Sequence, residues 1–330
     1  MKRATSAAGE PSSFDTPASA RPGRDWVVLL AGGRPPGSAF EPGARRSVLP
    51  VAQRRLDGGR MLLSRHLEQA ACLVPRERVR VVAAEDQAAA LEPALRDWPA
   101  GTLLTEPVAR GSLPAMLLAW LDLAFAEPEG RVLVIPADRR IGDPRTHEVS
   151  LRRLLRLADE SQRIALLGAR AAVPEPGRLW VMPSATSPGG LAGVRTFERP
   201  ASESRAENLL SAGGLLYSGC FATSTRVLHR AACQAVPHLV AAFLGLEEPC
   251  RRQPSALDPD RRRELFNRLA PGHLAEQVLA RSLGLLGVVP QAECGWQDLG
   301  RRQVALDARW GGAGAAEARH DPHPARVLAG

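Results

Sequence analysis

Lysine is almost missing from this chain. Lys2 is the only one, although Lys and Arg together number 43. Any task that a lysine would perform beyond residue 2, such as neutralising a phosphate, falls to arginine or is lost. Aromatic residues make up only 4%, so the core must be built from Leu, Val and Ala. The net charge is +8, but the arginines are scattered and no base-stacking aromatics are interleaved with them, so nucleic acid is not the partner indicated. No apolar run approaches the roughly 20 residues needed to cross a bilayer. Residues 1–24 lack the apolar stretch of a signal peptide. The five cysteines (Cys72, Cys220, Cys233, Cys250, Cys294) contain no CxxC pair, which excludes a zinc ribbon or a disulfide framework. The seven histidines show no ligand spacing, and there is no GxSxG elbow. These absences predict a soluble, cytoplasmic protein with no membrane partner.

What is present is a chain of 330 residues with 45% apolar content, enough for a substantial core. Residues 1–24 read as a disordered tail, 25–310 as one domain and 311–330 as a flexible tail. Strands are expected at Val27–Ala31, Val79–Ala84, Thr102–Thr105, Val132–Ile135 and Ile164–Leu167. Helices are expected at Arg60–Val74, Leu113–Phe125 and Leu151–Leu157. This alternation predicts an α/β fold of three layers, with a mixed, mainly parallel central sheet. Short extended pieces at Leu179–Met182, Val194–Phe197 and Leu215–Tyr217 suggest an antiparallel extension. Helices then dominate from Thr225 to Leu283, a segment available for a homo-oligomer contact although nothing in it demands one. Leu285–Val289 is a late strand.

Several constellations could carry chemistry. Gly32-Gly33 after the first strand lets backbone N–H groups approach a phosphate or base, although a tight turn needs the same residues. Asp138 follows a buried strand, where open α/β sheets bind ligands. A carboxylate there suits Mg²⁺, and Asp298, between Gly295 and Gly300, is a candidate second ligand. Each is equally readable as a turn cap or an arginine partner. Glu198-Arg199 could grip a phosphate or form an exposed pair. Glu106, Arg110 and Ser112 lie between a strand and a helix, where Ser112 is a plausible N-cap and the helix start could face an anion.

In their order along the chain these pieces are Leu30-Ala31-Gly32-Gly33, Thr105-Glu106-Pro107 through Ala115, and Val134-Ile135-Pro136-Ala137-Asp138. Next come Pro174-Glu175-Pro176-Gly177, Phe197-Glu198-Arg199-Pro200, Ser218-Gly219 and Gly295-Trp296-Gln297-Asp298-Leu299-Gly300. Together they resemble the sugar-1-phosphate nucleotidyltransferases, most closely the mannose-1-phosphate guanylyltransferase branch. That family carries LAGG, GTR, PKQF, EPxxRxTAPA, PAD, PET(G/D)YG, EKP, WNSG and GWxDxG segments in this sequence. The resemblance runs from about Trp26 to Arg309. It implies a GT-A-like fold and transfer of a nucleotidyl group from a nucleoside triphosphate such as GTP to a hexose 1-phosphate such as mannose 1-phosphate. Pyrophosphate would leave, and the product would serve polysaccharide precursor supply. By the match, Asp138 and Asp298 would hold Mg²⁺ (or Mn²⁺) and be catalytic. Gly32, Gly33, Glu106, Arg110 and Ser112 would line the nucleotide, and Glu198, Arg199 and Ser218 the sugar phosphate.

The chain departs from the family at charged positions. The GTR arginine aligns with Ala39, and the PKQF lysine with Val51. The tyrosine and glycine of PET(G/D)YG fall at Arg178 and Leu179, and the asparagine of WNSG at Tyr217. A coding bias toward arginine accounts for Arg199 in place of lysine, but not for valine at 51. Losing charges that stabilise a transferring phosphoryl group costs orders of magnitude in rate. Arg34, Arg45, Arg46, Arg54 and Arg55 are the candidates to compensate. Two readings follow: an active nucleotidyltransferase, or an inactive homologue that binds nucleotide or nucleotide-sugar and regulates or scaffolds a partner.

Overall fold

The computed structural model describes residues 23–32, 51–56, 59–184, 190–246 and 259–299. Gly33, Ala39, Arg34, Arg45, Arg46, Cys250 and nearly all of both expected tails lie outside them.

The chain begins with β1 (Asp25–Leu30), the two-residue strands β2 (Arg55–Leu56) and β3 (Arg60–Met61), and helix α1 (Leu62–Leu73). Then come β4 (Val79–Ala84), α2 (Glu85–Leu95), β5 (Leu103–Glu106) and α3 (Ser112–Ala126). After these follow β6 (Arg131–Pro136), β7 (Arg139–Arg140), α4 (Pro144–Ser161) and β8 (Ile164–Ala169). The later half contains β9 (Trp180–Pro183), β10 (Ala192–Glu198), α5 (Glu203–Ser211) and β11 (Leu215–Ser224). It closes with α6 (Thr225–Ala235), α7 (Pro237–Leu244), α8 (Pro259–Arg268), α9 (Leu274–Gln277), β12 (Leu286–Pro290) and β13 (Gln297–Asp298).

Nine strands form one sheet in the order β5-β4-β1-β6-β11-β8-β12-β10-β9. Following the pairings outward from β1, seven strands point one way and β10 and β11 oppose them. The mixed, mainly parallel sheet is thus observed. The pieces β9 and β10 do form an antiparallel edge, but β11 inserts into the middle, between β6 and β8. It is ten residues long, whereas the sequence marks only its first three.

The interiors of β1, β4, β6 and β8 are largely apolar and buried because both faces are covered. Along β1 and β6, Val28, Val132 and Val134 face a core shared with α3, α6 and α7, whereas Val27, Leu29, Leu133 and Ile135 face α1 and α4. This strict alternation builds the three layers. Helix α3 sits so deep that Leu113 through Leu121 are all buried. Helix α2 escapes sequence detection because only Gln87 and Leu91 are buried along it and Pro93 interrupts it. Helix α5 escapes because its contribution is two residues, Ala206 and Leu209, packed on Trp180, Met182 and Leu216.

Helix α6 starts at Ser224, whose side chain accepts from the Val227 N–H at 3.2 Å. Ser224→Ala should lower stability by about 1 kcal/mol. Urea denaturation checks this, and an unchanged midpoint would show that the cap contributes nothing.

Candidate functional site

Gly32, Glu106 and Asp138 all lie at the carboxyl ends of strands, after β1, at the end of β5 and after β6 respectively. Because β5, β4, β1 and β6 are neighbours running the same way, the three residues line one edge of the sheet. This is where open α/β sheets place ligands.

Asp298 joins them through a two-residue ladder. Strand β13 pairs antiparallel with β7, placing Asp298 opposite Arg139 and Gln297 opposite Arg140. The Leu299 N–H donates to the Asp138 carbonyl at 3.1 Å, and the Gly142 and Asp143 N–H groups donate to the Cys294 carbonyl at 2.9 Å. The two aspartates expected to act together are therefore brought together.

Between them lies an arginine. Arg139 Nη1 contacts Asp298 Oδ1 and stands 2.8 Å from Asp138 Oδ1. The latter contact is an ion pair that lies off the direction of an aligned hydrogen bond. Arg139 Nε donates to the Ser218 carbonyl at 3.1 Å. A second guanidinium, Arg178, approaches Asp298 Oδ2 at 3.3 Å and Glu175 Oε2 at 3.7 Å. Trp296 lies beside both guanidiniums, with ring-centre distances of 5.1 Å to Arg178 and 5.9 Å to Arg139. Burial pushes the Asp138 carboxyl above its ordinary value; Arg139 opposes this and Asp298 adds to it. Arg139 is itself held above its ordinary value: burial favours losing the proton, but the charges of Asp138 and Asp298 outweigh it.

The residues around this pair suit a guanidinium and not a divalent ion. Among the described residues no group of three or more His, Cys, Asp or Glu side chains could hold a metal. Both carboxylates are engaged with Arg139. The expected assignment of Mg²⁺ to Asp138 and Asp298 does not match this arrangement, because Arg139 stands where such an ion would bind.

The other end of the site is polar and unsatisfied. Glu106 is buried, and its Oε1 has no hydrogen-bond partner among the described residues. Burial pushes its carboxyl up to about 8, with only the Arg110 backbone pulling the other way. Gln87 is also buried; its Oε1 accepts from the Ala84 N–H at 3.3 Å, while its Nε2 has no partner among the described residues. A Cβ on Gly32 would lie 3.6 Å from Glu106 Oε2 and 3.7 Å from Gln87 Oε1, so the glycine turn lies directly against this pair. Among the described residues this buried corner thus holds one acceptor and one donor without partners.

The remaining candidates are engaged elsewhere. Arg110 donates through Nε to the Phe266 carbonyl at 2.8 Å and through Nη2 to the Asn267 carbonyl at 3.1 Å, closing the last turn of α8. Ser112 is the first residue of α3, and Gly111 is its N-cap. Ser112 Oγ accepts from the Leu274 N–H at 3.1 Å, and the Leu113 N–H donates to the Gly272 carbonyl at 3.1 Å. The start of α3 is therefore sealed by the 272–274 turn and is not open to an anion. Glu198 pairs with Arg205 at 2.6 Å. Arg199 pairs with Glu276 at 2.7 Å and donates to the Gly177 carbonyl. Ser218 Oγ donates to the Leu167 carbonyl at 2.8 Å, so its hydroxyl serves the backbone. Val51 is fully buried with Leu62 and Leu299. Of the compensating arginines, Arg55 donates to the Gly59 carbonyl at 2.6 Å across its own hairpin. Arg54 is half-buried beside it.

The sequence reading missed Arg139, Arg178, Gln87 and His66. His66 lies inside α1, and its Nε2–H donates to the Arg139 carbonyl at 2.8 Å. Burial, with a smaller push from Arg139, lowers its basicity to about 4, so the ring is neutral and fixes β7 from behind. His147 Nδ1 bonds the Gln69 side chain at 3.0 Å, and burial lowers it likewise to about 4.

No family model matches the chain. The chain is 31% identical over 122 residues to the alginate biosynthesis protein AlgA of Pseudomonas aeruginosa, and 34% over 122 residues to that of Pseudomonas putida. Each match covers 36% of this chain and 25% of the relative, so the matched region spans about a quarter of those proteins. A mannose-1-phosphate geranyltransferase from Thermus thermophilus superposes with a TM-score of 0.72 at 24% identity, covering 88% of this chain and 80% of that one. A UDP-glucose pyrophosphorylase complexed with UDP-glucose gives 0.52 at 13% identity, covering 86% and 96%. The structural likenesses establish the fold.

Proposed function

We propose, for a chain that shares the GT-A-like fold of the sugar-1-phosphate nucleotidyltransferases, that it transfers a nucleotidyl group to a sugar 1-phosphate. The donor in this reading is GTP and the acceptor a hexose 1-phosphate such as mannose 1-phosphate. The observation that carries it is the orphaned, buried pair of Glu106 and Gln87 against Gly32. Guanine offers two adjacent N–H donors and a carbonyl acceptor. An ionised carboxylate accepts the donors and an amide N–H₂ satisfies the carbonyl. Gly32 leaves room for the nucleotide to approach the backbone.

In the transfer, an oxygen of the sugar phosphate attacks the α-phosphorus. A new P–O bond forms, the bond to the bridging oxygen toward the β-phosphorus breaks, and pyrophosphate leaves with that electron pair. The chain's part is positioning and charge. Arg139 and Arg178 supply fixed cations beside the expected phosphate path, and Asp138 and Asp298 hold those cations in place. In this reading the cation role that lysine would take belongs to arginines outside the candidate set read from the sequence.

A second reading has its own observation. Val51, where the family has a lysine, is sealed into an apolar cluster with Leu62 and Leu299. This favours an inactive homologue that binds nucleotide or nucleotide-sugar and regulates or scaffolds a partner. A pyrophosphate-release assay with the four nucleoside triphosphates and a panel of hexose 1-phosphates, run beside calorimetry, separates the two. Release with GTP and one sugar phosphate is the expected result. Binding without release supports the second reading, and no binding overturns both. No helix among the described residues is long and apolar enough to cross a membrane.

A further inference from the structure

We infer that Arg139 supplies, from within the chain, the positive charge that a divalent ion would bring to Asp138 and Asp298, so that this carboxylate pair binds no divalent metal. The consequence for phosphate binding rests on the nucleotidyl-transfer reading; the metal test below does not.

Mg²⁺ binds oxygens at about 2.0–2.1 Å in near-octahedral geometry and needs several ligands. An ion sharing Asp138 Oδ1 and Asp298 Oδ1 would overlap Arg139 Nη1, which already contacts both oxygens. Arg139 is also held at several points. Its Nε is bonded to the Ser218 carbonyl, its own carbonyl accepts from His66, and its backbone pairs with Asp298. On the adjoining bulge of β11, Gly219 has φ +93°, and a Cβ there would lie 2.5 Å from Pro136 Cγ and 3.5 Å from Arg139 Nη2. A guanidinium stays protonated at any working pH, and Arg139 with Arg178 brings the same total charge to the aspartates as one divalent ion. A phosphate arriving here would meet planar, two-pronged donors in place of a metal. Mg²⁺ carried in on the oxygens of a triphosphate is a separate matter, since the inference concerns the protein's own carboxylates.

The test is titration of the full-length protein with MnCl₂, followed by electron paramagnetic resonance, where bound Mn²⁺ loses its free six-line signal. The wild type should leave the signal undiminished at equimolar Mn²⁺. Arg139→Gln should take up one equivalent, displaceable by Mg²⁺, and Arg139→Gln/Asp298→Asn should lose it again. A wild-type protein that binds one Mn²⁺ and loses it in Asp298→Asn overturns the inference. So does a folded Arg139→Gln that gains none. If Arg139→Gln does not fold, the wild type and Asp298→Asn decide alone. Calorimetry with GTP in EDTA and in Mg²⁺ keeps the questions apart: absence of GTP binding in both sinks the nucleotide reading and leaves the Mn²⁺ result standing.

Discussion

Asp298→Ala should destabilise the protein by about 3–5 kcal/mol, the scale for removing one partner of a buried ion pair. It should also abolish nucleotidyl transfer. Asp298 contacts two guanidiniums, those of Arg139 and Arg178, and all three side chains are at most 15% exposed. Alanine would leave both cations short of a counter-charge, with Arg139 retaining Asp138 at 2.8 Å and Arg178 retaining Glu175 at 3.7 Å. The exposed Arg156–Glu160 pair on α4 is a control, because both of its side chains are about half exposed. Breaking it should cost no more than about 0.5 kcal/mol. Urea denaturation of Asp298→Asn, Arg139→Gln and the double variant should show non-additivity of about 1–3 kcal/mol, as expected for groups in one network. A loss below about 1 kcal/mol for Asp298→Ala would mean that the pair is effectively solvated.

The strands are legible in the sequence because both faces of Val27–Leu30, Val132–Ile135 and Ile164–Leu167 are buried, which leaves continuous apolar runs. Gly32 and Asp138 are legible as following the first two of those runs, and Glu106 as the end of the shorter strand Leu103–Glu106. Pairing Asp298 with Asp138 is legible only through the family resemblance, since the β7–β13 ladder that joins them is two residues long and has no periodicity to detect. The arginine arrangement is hidden for a different reason. An arginine's partner is chosen by tertiary geometry, and in a chain whose cations are nearly all arginine each one looks alike. Arg139 does carry a signal, as the residue immediately after Asp138 in the same turn. Arg110 and Ser112 mislead because their sequence neighbourhood suggests an open helix start. The segments that cover it, Phe266–Asn267 and Gly272–Leu274, arrive more than 150 residues later. Gln87 is concealed in an alanine-rich helix with almost no apolar stripe.

Stability should fall as pH rises above about 6.5, and buried histidines and carboxyls should act on it with opposite signs. His66 and His147 are buried, and burial lowers each from 6.5 to about 4. Between those values the unfolded chain binds protons that the folded chain refuses, so stability is lost as pH falls from about 6.5 to about 4. The limit is about 3 kcal/mol for each histidine by linkage. Glu106 behaves oppositely. Burial raises it from 4.5 to about 8, so the folded chain holds a proton that the unfolded chain has released. Its contribution is complete below about 4.5 and lost as pH rises through about 8, with a limit of about 4–5 kcal/mol. Asp138, also raised, adds with the same sign. From 4.5 to 6.5 the two histidines oppose Glu106 and Asp138; above 6.5 the carboxyls act alone and stability falls. Urea denaturation from pH 5 to 8.5 checks the shape. Glu106→Gln should flatten the alkaline limb and steepen the acid limb, whereas His147→Gln should weaken the acid limb alone. A flat profile would show that these groups are hydrated in solution. The alkaline loss also bears on the ligand. Guanine's two N–H groups need the ionised form of Glu106, so GTP affinity should rise with pH between 6.5 and 8 while the ligand-free protein weakens. A base that used the protonated carboxyl would reverse that trend, which makes the pH dependence of binding a direct reading of which edge Glu106 meets.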